Sequence, residues 1–371
     1  MKWIWQQPGW PEFSWDAGRL ASLEARFLHE SGRRAGAWRH LADRDRTDLR
    51  VEWLSDEALD TSAIEGELLD RTSVQSSIRR HFGLGVDPRR ASPAEAGVAE
   101  MMVEVHRTFD APLDHDTLWR WHGTLMRGRH WLAVVGGYRR HSEPMQVVSG
   151  PDYNRRVHYE APPSHTMMTE MERYIGWYER TRGMPALTRA GVAHFFFECI
   201  HPFEDGNGRI GRALAEKALA QSLREPTLIA LSRAIMRRRA AYYQALQSAG
   251  RSLDVTDWLV WFADTVLEGQ LWSERRLVRL IEQTRMFDRL RERLNPRQEK
   301  ALLRLFREEP EGFRGGLSAE NYRRITRASA STATRDLADL VAKGALRRTG
   351  ERRHTRYWLD VPSFDTATTT T

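Results

Sequence analysis

The sequence predicts a mainly helical protein with one small β-hairpin, and three observations carry that expectation. Apolar residues recur at the 3.6-residue spacing of helices along most of the chain. Alternating, strand-like patterns are few, and glycine and proline punctuate one β-prone stretch. At 371 residues, 41% hydrophobic and 29% charged, the chain is long enough for two or three domains, each with its own core.

Helical spacing runs through 41–66, 94–109, 116–127, 166–181, 188–200, 209–222, 233–249 and 256–294. The exception lies between Gly136 and Ala161, where GGYRRHSEPMQVVSG and RVHYEAPP flank a turn as hairpin strands do. Pro296, in LNPRQ, marks the end of the last long helix. The expected organisation is an N-terminal helical region (1–93), a core (94–255), a linker helix (256–295), a small tail domain (296–360) and a disordered end (361–371).

Composition narrows the function classes. The single cysteine, Cys199, rules out an internal disulfide framework and a cysteine metal cluster, and its aromatic neighbours mark it as a small buried hydrophobe. The opening MKWIWQQPGW breaks at Pro8 before an apolar signal core forms. No run approaches the roughly 18 apolar residues of a membrane span. A cytoplasmic protein without membrane association is expected. A net charge of +7 and a pI near 9.8 favour an acidic partner without identifying one.

The densest chemistry is HPFEDGNGRIGR, His201 to Arg212, between the apolar run FFFECI and the helix former ALAEKAL. Two phosphate motifs nearly fit it. Gly206, Gly208 and Gly211 match the dinucleotide spacing G-x-G-x-x-G, but no acid ends a second strand about 20 residues on. Gly206 to Gly211 has the outer spacing of a P-loop, yet Arg212-Ala213 stands where Lys-Ser/Thr is required. What remains is an anion nest. Glycines at 206 and 208 let successive N–H groups curl round a phosphate, and the helix starting near Arg209 aims its positive end there. Arg209 and Arg212, three apart, share a face toward bound phosphates. Asp205 suits a magnesium ion bridging phosphate oxygens, and His201 suits proton abstraction from a hydroxyl. His194, seven residues before His201, lacks a third ligand and reads as a packed core histidine.

This stretch resembles the Fic family signature H-P-F-x-[D/E]-G-N-G-R-x-x-R at all nine defined positions. The resemblance implies a helical domain that transfers AMP from Mg-ATP to a Ser, Thr or Tyr hydroxyl of a protein, itself included. It implies His201 as general base and Asp205 as the Mg²⁺ ligand. Nucleotide contacts fall to Asp205, Gly206, Asn207, Gly208, Arg209, Ile210, Gly211 and Arg212, and Phe203 is implied as the loop's buried anchor. Residues 136–150 resemble the family's flap, which pairs with the target backbone and clamps the nucleotide through Ser149 and Gly150. RRAAYYQALQ resembles the helix carrying a tyrosine near the base, here Tyr242. Where related sequences carry an asparagine, this one reads Ser248-Ala249-Gly250.

A second motif, TSAIEGE, lies upstream at 61–67. Thr61 and Glu65 share a helix face, and Gly66 is suited to end that helix. Glu65 then sits in the last turn, where the dipole disfavours an acid by about 0.3–1 kcal/mol unless a cation answers it. The stretch resembles the family's inhibitory pattern [S/T]-x-x-x-E-[G/N]. Glu65 and Arg212 each lack a local partner, so their pairing is expected. The Trp-rich start, with Trp3, Trp5, Trp10 and Trp15, resembles an N-terminal domain of one Fic subgroup and is expected to pack on the core.

In the tail, RQEKALLRLF, SAENYRRIT and SASTATRDLADLVAKGALRR read as three helices, followed by two short strands around a basic turn. That is the order of a winged helix-turn-helix, with Ser329-Ala330-Ser331 opening the recognition helix. Ten Lys/Arg stand against three acids between Asn321 and Tyr357, a bias suited to DNA phosphates, with Arg347, Arg348, Arg352 and Arg353 on the wing. Winged helices also dock proteins, so DNA and protein both stand as partners. A DNA-binding regulator with a nucleotide-sensing site, and an enzyme removing AMP, are the alternative functions. The sequence leaves a homodimer open.

Overall fold

The computed structural model describes residues 2–39, 41–85, 91–149, 156–307 and 315–361. The first eight helices are α1 (Ala17–Arg39), α2 (Asp43–Ile64), α3 (Arg71–His81), α4 (Pro93–Arg107), α5 (His115–Leu125), α6 (Met167–Arg180), α7 (Ala186–Ile200) and α8 (Asn207–Leu223). Then come α9 (Leu231–Arg237), α10 (Arg239–Ala249), α11 (Thr256–Arg289), α12 (Pro296–Arg307), α13 (Ala319–Thr326) and α14 (Ala330–Ala342). Two antiparallel hairpins complete the described chain: β1 (Gln146–Ser149) with β2 (Arg156–Glu160), and β3 (Leu346–Thr349) with β4 (Arg356–Leu359). The protein is mainly helical, as the apolar spacing predicts.

Four elements differ from the sequence reading. α1 and α3 form in stretches without strong periodicity. α3 offers only Val74 and Ile78 at helical spacing, and it is started by Asp70, whose carboxylate accepts the Ser73 amide at 2.9 Å. The predicted helix 233–249 is two helices, broken at Arg238, whose φ of −122° and ψ of 31° are not helical. The helix predicted over 256–294 stops at Arg289, and Glu292 beyond it adopts φ 62°. No glycine advertises that stop.

The chain divides into two compact units, residues 1–271 and 272–371. In the first, the N-terminal region, the expected core and the start of the expected linker helix share one apolar cluster that includes Ile4, Phe27, Val51, Ile64, Phe196 and Trp258. Its centre is α7, on which every residue except Glu198 is buried. A helix apolar all round belongs inside, and α7 has no polar face to turn to water. α8 packs closely along it: a Cβ on Gly211 would stand 2.8 Å from Glu198 Oε1 and 3.0 Å from His194 Nδ1. The loop joining α7 to α8 is thus pinned at both ends by the core.

The second unit has its own cluster, with Leu302, Leu305, Leu317, Tyr322, Leu337 and Leu346. Asp336 is buried there and accepts from Arg297 Nε (2.8 Å), Tyr322 Oη (3.0 Å) and Asn295 Nδ2 (3.2 Å), which offsets the cost of removing its charge from water. Ser329 caps α14, accepting the Thr332 amide. Leu317 pairs with Tyr357, adding a third short segment to the β3–β4 hairpin. Residues 362–371, the rest of the expected disordered end beyond Val361, lie outside the described residues.

Candidate functional site

His201 ends α7 in the left-handed region, φ 51° and ψ 59°, a conformation that costs a Cβ-bearing residue about 1 kcal/mol or more. Its surroundings impose that geometry. The His201 amide donates to Phe197 O at 2.9 Å, and its carbonyl accepts from Arg139 Nε at 2.8 Å. Arg139, itself buried, also donates to Ser164 Oγ and Pro162 O, and its amide donates to Pro202 O. The motif gave no sign of this pin, because Arg139 lies 62 residues upstream.

The His201 ring faces a cavity of about 790 Å³ lined by the 204–208 loop, β1, β2 and α10. Nδ1 lies 3.3 Å from the Glu198 carbonyl and 3.8 Å from its Oε2, so Nδ1 carries the proton and Nε2 is left as the acceptor. Burial disfavours the imidazolium and holds its pKa down to about 4. The ring is therefore neutral at pH 7 and able to take a proton.

The loop beyond is held by Phe203 and Asn207. Phe203 is fully buried and stacks on His122, centroids 4.1 Å apart. Asn207 is turned inward, accepting from Phe203 N (3.0 Å) and donating to Phe203 O (2.8 Å). Its amide, not its side chain, faces the nest. Gly206 adopts φ 84°, where a Cβ would also strike Met126 at 2.7 Å. The first helical bond of α8 runs from Ile210 N to Gly206 O, and the amides of Asn207, Gly208 and Arg209 have no described partner. Three aligned donors at a helix start form an anion site.

Not every residue of the motif faces that site. Ile210 is fully buried in the apolar cluster, and Gly211 faces α7, so both have a packing role, and neither is among the residues lining the cavity. Arg209 does not project freely: Nη1 donates to Glu67 Oε2 at 2.6 Å and Nη2 to Asp205 Oδ1 at 3.3 Å. Asp205 lines the cavity, with Oδ1 also accepting the Gly206 amide. Ser149 ends β1, its side chain outside the described residues, as is Gly150 altogether.

Arg212 is 1% exposed and anchored on α2. Nε donates to Thr61 Oγ1 at 2.7 Å, while Nη2 donates to Thr61 O at 2.9 Å and to Glu65 Oε1 at 2.8 Å. Burial works against its charge, but Glu65, together with Tyr242 and Glu198, outweighs this and holds the guanidinium above its ordinary pKa. Nη1 is buried without a partner. Glu65 caps α2, Gly66 follows with φ 85°, and the carboxylate reaches the nest: a Cβ on Gly208 would stand 2.2 Å from Oε1. Tyr243 hydroxyl lies 3.4 Å from Glu65 Oε2. Tyr242 is buried with its hydroxyl 2.8 Å from His194 Nε2, and it lines the same cavity. Burial pushes the Cys199 thiol pKa up, as suits an inert core residue.

Residues 112–219 match the Fic/DOC family, and residues 3–84 match a domain of unknown function (DUF4172). The chain thus contains a Fic/DOC family domain. A probable protein adenylyltransferase of Aquifex aeolicus is 29% identical over 116 residues, 31% of each chain. The protein adenylyltransferase Fic of Culex quinquefasciatus is 30% identical over 149 residues, 38% of this chain and 29% of that one. The chain spans less than a third of these relatives' lengths. The crystal structure of a Fic family protein from Desulfovibrio desulfuricans shares the fold, with a TM-score of 0.58 at 22% identity over 94% of this chain and 98% of that one. No described helix is long and apolar enough to cross a membrane.

Proposed function

We propose that the protein is an adenylyltransferase that transfers AMP from ATP to a hydroxyl of a protein, and that Glu65 restrains it. The observation that carries the reading is a neutral, oriented histidine facing the cavity that Gly206, Asn207 and Gly208 also line, at a helix start whose first amides have no described partner. The hydroxyl oxygen attacks the α-phosphorus in line, the bond to pyrophosphate breaks, and His201 Nε2 takes the hydroxyl proton. The 207–209 amides stabilise charge developing on the phosphates. Arg212 lies behind Glu65, so it reaches a phosphate only when that carboxylate leaves.

The Asp205 carboxylate, one of four acids lining the cavity with Glu65, Glu198 and Glu204, fits Mg²⁺, which takes one or two protein carboxylates plus phosphate oxygens. Asp205 would hold the ion, which when bound offsets phosphate charge and eases pyrophosphate departure. Incubation with α-labelled ATP, Mg²⁺ and candidate targets tests the activity. Label should appear on protein and vanish in His201→Ala while ATP binding survives; undiminished labelling in that variant contradicts the mechanism.

The tail supports a second, additive reading as a winged helix that binds DNA. Arg323, Arg327 and Arg335 on or beside α13 and α14, and Arg348 and Arg352 on the hairpin, are all exposed.

A further inference from the structure

The flap hairpin cannot hold itself in place. Two-stranded hairpins are marginal in water, and this one buries little: Val147, Val148 and Val157 are 37%, 41% and 39% exposed. Yet β2 supplies His158 and Tyr159 to one wall of the cavity, facing Leu246, Gln247 and Gly250 at the end of α10. These two walls form a slot at whose edge His158 Nδ1 lies 3.2 Å from Gln247 Oε1.

The first residues of the chain tie both walls together. A 3₁₀ turn at Ile4–Gln6 presents groups in two directions. Toward β2, Trp5 Nε1 donates to Glu160 O at 2.7 Å, and the Trp3 ring meets the Tyr159 ring edge-on, centroids 5.5 Å apart. Toward α10, the Ile4 amide donates to Gly250 O at 3.2 Å and Gln7 Nε2 to Arg251 O at 2.9 Å. Ile4 is fully buried, so the turn is anchored in the core. Tyr159 hydroxyl, donating to Cys199 O at 2.8 Å, fastens the same wall to α7.

We propose that Trp3, Trp5 and Gln7 are positioning residues for the nucleotide: their turn holds β2 and α10 at the spacing that takes the base, while the phosphates are held independently by the 205–208 loop. This gives the tryptophan-rich start a task in binding and rests on the nucleotide reading above. A slot held open before binding spares the ligand the cost of ordering its walls, so loosening the turn weakens the base end selectively.

The test compares ATP with inorganic tripolyphosphate, which has no base, by calorimetric titration of the full chain. Trp5→Phe keeps the ring and removes the donor; Gln7→Ala removes the second tie. The double variant should bind ATP about five- to tenfold more weakly, the size expected for one or two net hydrogen bonds. Its affinity for tripolyphosphate should stay unchanged, and amides of 156–160 should exchange faster. Trp5→Phe alone, a milder change, should show the same pattern at roughly two- to threefold. ATP affinity equal to wild type, or equal losses for both ligands, overturns the proposal and leaves the nucleotide reading standing. A wild-type chain that binds tripolyphosphate no more weakly than ATP overturns both.

Discussion

Arg209 and Glu67 form a second ion pair beside that of Arg212 and Glu65, with Nη1 2.6 Å from Oε2. Two acids two residues apart thus answer two arginines three apart. The left-handed turn at Gly66 separates the carboxylates enough to do so. Arg129 donates to the other Glu67 oxygen, fastening the segment to the loop that follows α5. Glu67 is 23% exposed, so its pair is worth about 1 kcal/mol or less after solvent screening. Glu67→Gln should raise AMP transfer about two- to fivefold by loosening the end of α2. Unchanged or reduced labelling would show that Glu67 merely fastens the loop.

Removing Glu65 leaves a buried guanidinium without its carboxylate. Breaking a buried pair costs 3–5 kcal/mol, and because Glu65 is 29% exposed the cost here should be about 1–3 kcal/mol. Glu65→Gly should therefore melt several degrees below wild type without nucleotide. ATP should restore more stability to it than to wild type, because its phosphates supply the missing charge. Equal ATP-induced shifts in the two proteins would mean that Arg212 does not meet phosphate.

Buried titratable groups set the pH range. Burial, first of all, holds His106, His122 and His201 down to about 4 and His194 to about 3. The unfolded chain protonates these near pH 6.5, so it binds more protons than the folded one at lower pH, and stability falls as pH drops toward 4. Three carboxyls, Glu57 buried and Glu198 and Glu216 partly buried, act in the opposite sense. Burial, with Glu65 nearby, pushes Glu198 up to about 8; burial also pushes Glu216 to about 7 and raises Glu57 beside it. Here the folded protein binds more protons, so stability falls as pH rises toward 8. Melting temperature should peak between about pH 5 and 6.5, where the two trends meet. Glu216→Gln should flatten the alkaline side, and a wild-type profile still climbing from pH 6.5 to 8 would contradict this.

Tail binding to duplex DNA should weaken steeply with salt, with a slope near −0.9 per phosphate contact. Neutralising Arg348 and Arg352 in the full chain should reduce that slope by about 2. A complete absence of DNA retention at about 50 mM salt, where counterion release favours binding most, would assign the tail to protein docking.

What could be read from the sequence divides along physical lines. The Glu65–Arg212 contact was legible because each residue is locally unsatisfied: an acid at a helix end, and an arginine in a phosphate loop. His201, Asp205 and the glycines at 206 and 208 follow from local backbone chemistry in the same way. The packing of Ile210 and Gly211 could not be read in the same way, because the spacing of a motif does not say which way each position faces once a helix begins. Glu67 and Arg139 were missed for a different reason. Nothing near Glu67 distinguishes it from a solvated acid, and Arg139 acquires its task only when folding brings it to His201 O. The ties of Trp5 and Gln7 reach 155 and 244 residues along the chain, beyond any local signal.

Transfer of label from α-labelled ATP by the Glu65→Gly protein, measured beside wild type and the Glu65→Gly/His201→Ala double variant, bears most directly on restrained AMP transfer. Misaligned phosphates can cost a hundredfold in rate, on the order of 3 kcal/mol in barrier. Glu65→Gly should accordingly label itself or a competent target about a hundredfold faster than wild type, and the double variant should not label at all. Labelling by Glu65→Gly no faster than wild type, with a target that wild type modifies, would contradict the restraint; labelling that survives loss of His201 would contradict the chemistry.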